Sequence, residues 1–218
     1  MMEKKDDAKE KRKPLLKDFY QKQTLELAIS LLGCLLVKET PEGIATGYIV
    51  ETEAYIGPFD QAAHSFQNKR TKRTEIMFYE PSHVYTYTMH THCLVNVVSG
   101  LKNSPEAVLI RALQPFSGIE LMKKRRNMNE IKNLTNGPGK LTKALNITME
   151  DYGHTFTKPP LYITEGFRPH SISSGKRIGI ENSGDAKDYP WRFWITNNEF
   201  VSRKRNNALN VFSNIYSS

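Results

Sequence analysis

At 218 residues, 39% of them hydrophobic and 25% charged, the chain is long enough for one sizeable core and short for two domains. Its formal charge of +8 and pI near 9.4 favour a polyanionic partner, and no apolar run approaches the ~18 residues of a membrane helix. Cys34 and Cys93, the two cysteines, both sit in apolar contexts with no secretory leader pattern, so the expectation is a cytoplasmic, nucleoid-associated protein with reduced thiols and no membrane role.

In chain order, residues 1–17 hold seven Lys/Arg against four acids and few apolar side chains, which predicts a disordered charged arm. A single domain is expected over residues 18–205, and a polar tail over 206–218. Leu25, Ala28, Ile29 and Leu32 recur at helical spacing and Gly33 follows as a stop, predicting a helix over 24–32. Strands are predicted over 34–38 and 47–56, joined by the turn-rich Glu39-Thr-Pro-Glu-Gly43. Further strands are expected over 83–88, 93–98, 107–113, 161–164, 176–180 and 192–196. Helices are expected over 118–126 and after Gly137, where Pro138 suits a first helical position. Strands come in adjacent runs, so the class is α+β: one curved, mixed or antiparallel sheet with peripheral helices.

The most telling stretch is Gly47-Tyr-Ile-Val-Glu-Thr-Glu-Ala-Tyr55. A period of two puts Ile49, Glu51, Glu53 and Tyr55 on one face, and Val50, Thr52 and Ala54 on the other. Two acids and a ring on one surface are unusual for packing alone, and His64 follows after a turn. Composition does not distinguish Glu51 from Glu53. Arg111 lies in the apolar run Ala107-Val-Leu-Ile-Arg-Ala-Leu113, and a cation there requires a nearby carboxylate or phosphate. Basic residues bunch at Lys69 to Arg73, Lys123 to Arg126 and Arg203 to Arg205. His90-Thr-His92-Cys93 lacks a second ligand pair at matching spacing, so no metal is expected.

Glu51-Thr-Glu-Ala-Tyr55, Ala62-Ala-His-Ser65, Val84-Tyr-Thr-Tyr87, Asn96, Leu109-Ile-Arg-Ala-Leu113 and Asn136-Gly-Pro-Gly-Lys-Leu141, in this order and spacing, resemble the alkyladenine (3-methyladenine) DNA glycosylase family, its bacterial branch in particular. The resemblance runs from about Phe19 to Arg203. It implies a monofunctional base-excision repair enzyme that needs neither metal nor cofactor. Such an enzyme acts as a monomer on double-stranded DNA containing alkylated bases, flips the damaged purine out and hydrolyses its N-glycosidic bond to leave an abasic site.

By the same resemblance Glu53 activates the water and Arg111 meets the water and the lesion phosphate. Tyr55, Tyr87 and His64 hold the everted base, Asn96 lines the pocket floor and the Ile178 carbonyl positions water. Glu51 is assigned a structural ion pair or strand-end hydrogen bond. His90, where many relatives carry tyrosine, takes the place of the wedge that enters the duplex, with Met89 beside it, and a smaller, more polar wedge implies a narrower lesion range. Lys69, Arg70, Arg73, Lys140 and Arg203 are the expected phosphate contacts; at Lys140 they would be joined by the amides of a helix start. Two other classes stay open on the residues alone. One is a non-catalytic nucleic-acid-binding module like the basic carboxy-terminal part of formyltransferases; the other is a metal-dependent nuclease using Glu51, Glu53, His90 and His92.

Overall fold

Alternating apolar residues in long runs build one large sheet, and short helices cover one of its faces. The computed structural model describes residues 13–202 and 209–212. Its strands are β1 (Leu35–Thr40), β2 (Gly43–Tyr55), β3 (Val84–Met89), β4 (His92–Ser99), β5 (Glu106–Ser117), β6 (Leu161–Thr164), β7 (Ile172–Gly175), β8 (Arg192–Ile195) and β9 (Leu209–Phe212). Four helices accompany them: α1 (Lys17–Tyr20), α2 (Thr24–Ser30), α3 (Ile119–Arg126) and α4 (Pro138–Leu145). The main order is β3-β4-β5-β2-β8-β7-β9, with β1 bridging β2 and β6, and every strand pairing described is antiparallel. The chain forms one α+β domain with a curled, half-barrel sheet. Among the described residues no helix is long and apolar enough to cross a membrane.

Strand β2 organises the sheet. It pairs along its length with β5, and its other edge is shared between β1 in the first half and β8 opposite Glu51 to Glu53. Where it changes neighbours the register slips twice: Ile49 opposes Leu113, Glu51 opposes Ala112 and Thr52 opposes Ile110. Val50 on β2 and Arg111 on β5 are therefore each an extra residue, a pair of bulges that bend and twist the sheet. The bulge corrects one expectation. Ile49 joins the buried apolar core together with Val50 instead of sharing the acids' face, because the extra residue breaks the period of two just before Glu51.

Beyond the bulge the two faces separate cleanly. Val50 and Ala54, Val84, Val95 and Val97, and Val108, Ile110 and Ala112 belong to the main core with Leu27, Ala28 and Leu31 of the α2 region and Leu141, Ala144 and Leu145 of α4. The hydroxyl of Thr52 caps this packing by donating to the Ala28 carbonyl at 2.8 Å. On the opposite face Tyr85, Tyr87, Leu94, Val98, Ala107 and Leu109 form a smaller cluster with Ile76 and Met77. After α2, Gly33 turns the chain at φ +85°, and a Cβ there would lie 2.1 Å from the Phe167 carbonyl oxygen, so glycine is required both for the turn and for the close approach.

Three further expectations are corrected. Residues 176–180 form no strand; the strand is Ile172–Gly175, and the chain then leaves the sheet to aim its polar groups at buried acids rather than at a ladder partner. Within the expected arm, Pro14 bridges Thr164 and the Leu15 amide donates to the Ile163 carbonyl at 2.8 Å, while residues 1–12 lie outside the described residues. Inside the expected polar tail, Leu209–Phe212, with the β-favouring Val211 and Phe212, supplies an edge strand on β7.

Candidate active site

The second face opens into a pocket of about 240 Å³ whose walls include Tyr55, His64, Tyr87, Asn96, Arg111 and Ile178. That is below the roughly 300 to 1,000 Å³ usual for drug-sized ligands and suits a single planar ring system. Strand alternation delivers Tyr85 and Tyr87 from β3, Leu94 and Asn96 from β4, and Ala107, Leu109 and Arg111 from β5. The end of β2 delivers Tyr55, and the following loop brings His64.

Glu53 is fully buried behind three residues of the pocket wall, Tyr55, Arg111 and Ile178, which contact its carboxylate. Its Oε2 accepts from the Tyr55 hydroxyl at 2.8 Å and faces Arg111 Nη1 at 3.2 Å, and its Oε1 accepts from the Ile178 amide at 2.8 Å. The acid is thus neither turned into the core nor separated from the tyrosines. Ile178 meets it through its N–H, a contact the sequence did not suggest. Glu51 is also fully buried but differently engaged. It accepts from Arg111 Nε at 3.1 Å, from the Ser202 amide at 2.7 Å and from the Ser202 hydroxyl at 2.9 Å, with Arg192 Nε at 3.6 Å. Glu51 therefore holds the segment that follows β8 at Ser202, while Arg111 bridges both carboxylates.

Electrostatics fixes the protonation of these neighbours. Burial alone would lower the Arg111 pKa, but the carboxylates of Glu53 and Glu51 more than offset it and the net shift is upward, so the guanidinium stays charged. Burial, then the negative charge of Glu53, pushes the Tyr55 phenol well above its ordinary value, and the same two causes push Tyr87 up to about 12. Both phenols therefore stay protonated, and Tyr55 remains a donor to the acid. His64 is lowered to about 4, first by burial and then by the Arg73 charge, which leaves it neutral near pH 7. Its Nδ1 shares a 2.7 Å hydrogen bond with the Tyr85 hydroxyl, and its ring stands edge-on to Tyr87 with centroids 4.6 Å apart. Asn96 is buried, its Nδ2 donating to the Tyr85 carbonyl at 3.0 Å, which fixes the orientation of its amide.

Met89 and His90 lie at the exposed tip of the β3–β4 hairpin, where Met89 still lines the pocket while His90 does not reach it. Met89 pairs with His92, leaving His90 and Thr91 as a two-residue loop at φ +46° and +70°. Both residues at positive φ is the type I′ arrangement, strained for residues other than Gly, Asn or Asp. α4 buttresses the hairpin: the Thr142 hydroxyl donates to the Cys93 carbonyl at 2.7 Å, and a Cβ on Gly139 would lie 2.7 Å from the His92 Cβ.

The expected phosphate contacts are scattered. Lys69 and Arg73 edge a second concavity beside His64. Arg70 forms a two-pronged pair with Glu75 at 2.6 and 2.8 Å. Lys140 donates to Asn136 at 2.7 Å, and burial, then the Arg126 charge, lowers its pKa. Arg203 lies outside the described residues. Among the described residues no three His, Cys, Asp or Glu side chains gather as a metal site.

Sequence reasoning missed Tyr85, Met77, and the buried pair Asp60 and Arg177. Tyr85 had a signal, since it precedes Tyr87 by one pleat repeat and must share its face. Met77 had none, and Asp60 and Arg177 are separated by 117 residues.

The model of the methylpurine-DNA glycosylase family matches residues 18–199. The chain belongs to this family. It is thus a DNA glycosylase, a base-excision repair hydrolase whose substrate is DNA. A Bacillus licheniformis protein provisionally named a 3-methyladenine DNA glycosylase is 67% identical to it over 190 residues, covering 87% of this chain and 97% of that protein. A Bacillus subtilis protein of the same provisional name is 64% identical over 192 residues, covering 88% and 98%. One from Listeria monocytogenes is 46% identical over 197 residues, covering 89% and 95%.

Proposed function

We propose that this glycosylase excises alkylated purines of the 3-methyladenine type by everting the nucleotide into the pocket and attacking its sugar carbon with a water activated by Glu53. One observation carries the reading. A carboxylate offers about four acceptor positions, and Glu53 accepts hydrogen bonds from Tyr55 and Ile178 and pairs with Arg111, three residues that all line the pocket, so it keeps acceptor capacity for a water proton. Hydrolysis through an oxocarbenium-like transition state commonly uses two carboxyl groups. A purine alkylated at N3 or N7 is already cationic and departs without a proton, so one carboxylate suffices to deprotonate the water and stabilise the sugar cation. Glu51, held by Ser202 and Arg111, keeps a structural part.

Eversion costs about a few kcal/mol, and stacking on an aromatic ring returns about 1 to 3 kcal/mol per base. Tyr55 and Tyr87 take the base between them and neutral His64 contacts its edge; a cationic base gains further from the ring faces. Asn96, its amide pinned by the Tyr85 carbonyl, sits where the exocyclic amine of undamaged guanine would collide with it. The Ile178 carbonyl assists in holding the water. The hairpin tip with Met89 and His90 enters the duplex as the wedge, and Lys69, Arg73 and Lys140 contact phosphates.

The test is release of base from methylated duplex DNA in the presence of a chelator, followed by alkali. Free 3-methyladenine and an alkali-labile abasic site are expected. Strand cleavage that the chelator abolishes would assign a nuclease instead, and bound but intact DNA would assign a plain binding module.

A further inference from the structure

We infer that the buried pair of Asp60 and Arg177 is a positioning device that holds three walls of the pocket, Tyr55, His64 and Ile178, in mutual register; the inference rests on the excision function proposed above. Both side chains are fully buried. Arg177 Nη1 donates to Asp60 Oδ2 at 2.5 Å and Nη2 to Oδ1 at 2.7 Å, and the same nitrogens donate to the Ala54 carbonyl at 2.9 Å and the Ala186 carbonyl at 3.1 Å. Asp60 in turn accepts from the Ile56 amide at 3.2 Å and the Ala62 amide at 3.0 Å. The pair thereby ties together the end of β2, the loop that carries His64, and the segment that carries Ile178.

The geometry reaches the reacting groups through single steps. The guanidinium carbon lies 4.7 Å from the Tyr55 ring centroid and 5.1 Å from that of Trp191, so it backs the ring whose hydroxyl donates to Glu53. Ile178, the next residue along the chain, donates its amide to the other oxygen of Glu53. Two of the acid's three partners are thus set by Arg177, and Asp60 fixes the start of the loop that carries His64.

Stability alone does not account for this arrangement. Replacing a buried ion pair by apolar side chains of similar volume is often neutral or stabilising, and here Arg177 Nε is buried without a hydrogen-bond partner, a further cost. An apolar pair would fill the space but would leave the Ala54 and Ala186 carbonyls and the Ile56 and Ala62 amides unheld. Only a planar fork reaches a carboxylate with two prongs and two carbonyls at once.

The experiment compares single-turnover excision from methylated duplex with the Kd for a duplex bearing a stable abasic-site analogue, in the wild type, Arg177→Lys and Asp60→Asn, with Tm recorded for each. Arg177→Lys keeps the charge and loses the fork; Asp60→Asn keeps the shape and loses the charge. Since a misplacement of about 1 Å can cost roughly 10²-fold in rate, both variants are expected to excise about 10- to 100-fold more slowly while the Kd stays within about threefold. Rates within twofold of wild type in either folded variant overturn the inference. So does a rate that falls only in step with Kd, or an Asp60→Asn protein unfolded at the assay temperature, since each makes the pair a support of the fold alone. An inactive wild type would instead sink the excision reading, and this inference with it.

Discussion

The two faces of the same strands make the instructive contrast. Along β5, Val108, Ile110 and Ala112 enter the main core, while Ala107, Leu109 and Arg111 line the pocket. Along β2, Val50 and Ala54 face helices, while Glu51, Glu53 and Tyr55 face one another and Arg111. The first face is apolar apart from hydroxyl residues such as Thr52 and Ser99, so its worth is area removed from water, about 25 cal/mol per Å². The second carries buried acids, a buried arginine and three tyrosines, whose desolvation offsets much of their mutual attraction. One backbone periodicity assigns stability to one side and chemistry to the other. Changes on the two sides should therefore separate in stability and rate.

The sharpest break of the contrast is Glu53→Gln. It removes the general base, and excision should fall about 10²- to 10⁴-fold in single-turnover assays, with DNA affinity retained. Arg111 keeps Glu51 as a partner, so its charge is not orphaned and the Tm should move little. A near wild-type rate would refute the mechanism. The mirror change is Ile110→Ala, one residue from Arg111 and fully buried on the other face. It should cost about 2 to 5 kcal/mol, and for a domain of this size each kcal/mol lowers the Tm by roughly 2 to 4 °C. Below its own melting range that variant should excise at close to the wild-type rate. A specific rate loss without a Tm shift would show that the two faces are not separable.

What was legible from the sequence follows the same division. The alternation of Glu51, Glu53 and Tyr55 holds because it lies beyond the bulge, and the α2 helix and the hairpin strands are marked by local periodicity. Ile49 was misplaced because the extra residue, Val50, has no local signature; the slip answers one on β5 at Arg111, brought alongside only by folding. Residues 176–180 look like a strand by composition, yet Arg177 and Ile178 spend their donors on Asp60 and Glu53, partners more than a hundred residues away. Tyr85 was recoverable from pleating alone. The polar framework of the site is long-range, and a single chain read locally does not show which residues meet.

The smallest of the expected effects concerns pH and isolates His64. Its folded pKa is lowered to about 4 from an ordinary 6.5, chiefly by burial and secondarily by Arg73. Between those values the unfolded chain binds a proton that the folded protein refuses, so the unfolded state carries more protons and stability rises with pH. The contribution is fully present above about pH 6.5 and is lost progressively as pH falls toward about 4. A Tm series from pH 7.5 to 4.5 should therefore slope downward on acidification, and His64→Gln should flatten that slope while leaving the value at pH 7.5 little changed. Because His64 also hydrogen-bonds Tyr85 and abuts Tyr87, acid should disturb the pocket face before the core face. In the wild type, excision should then decline at a pH where the far-ultraviolet signal of the sheet is still intact. Loss of both signals together, with the same slope in His64→Gln, would place the acid sensitivity elsewhere, in the carboxylates that hold the domain.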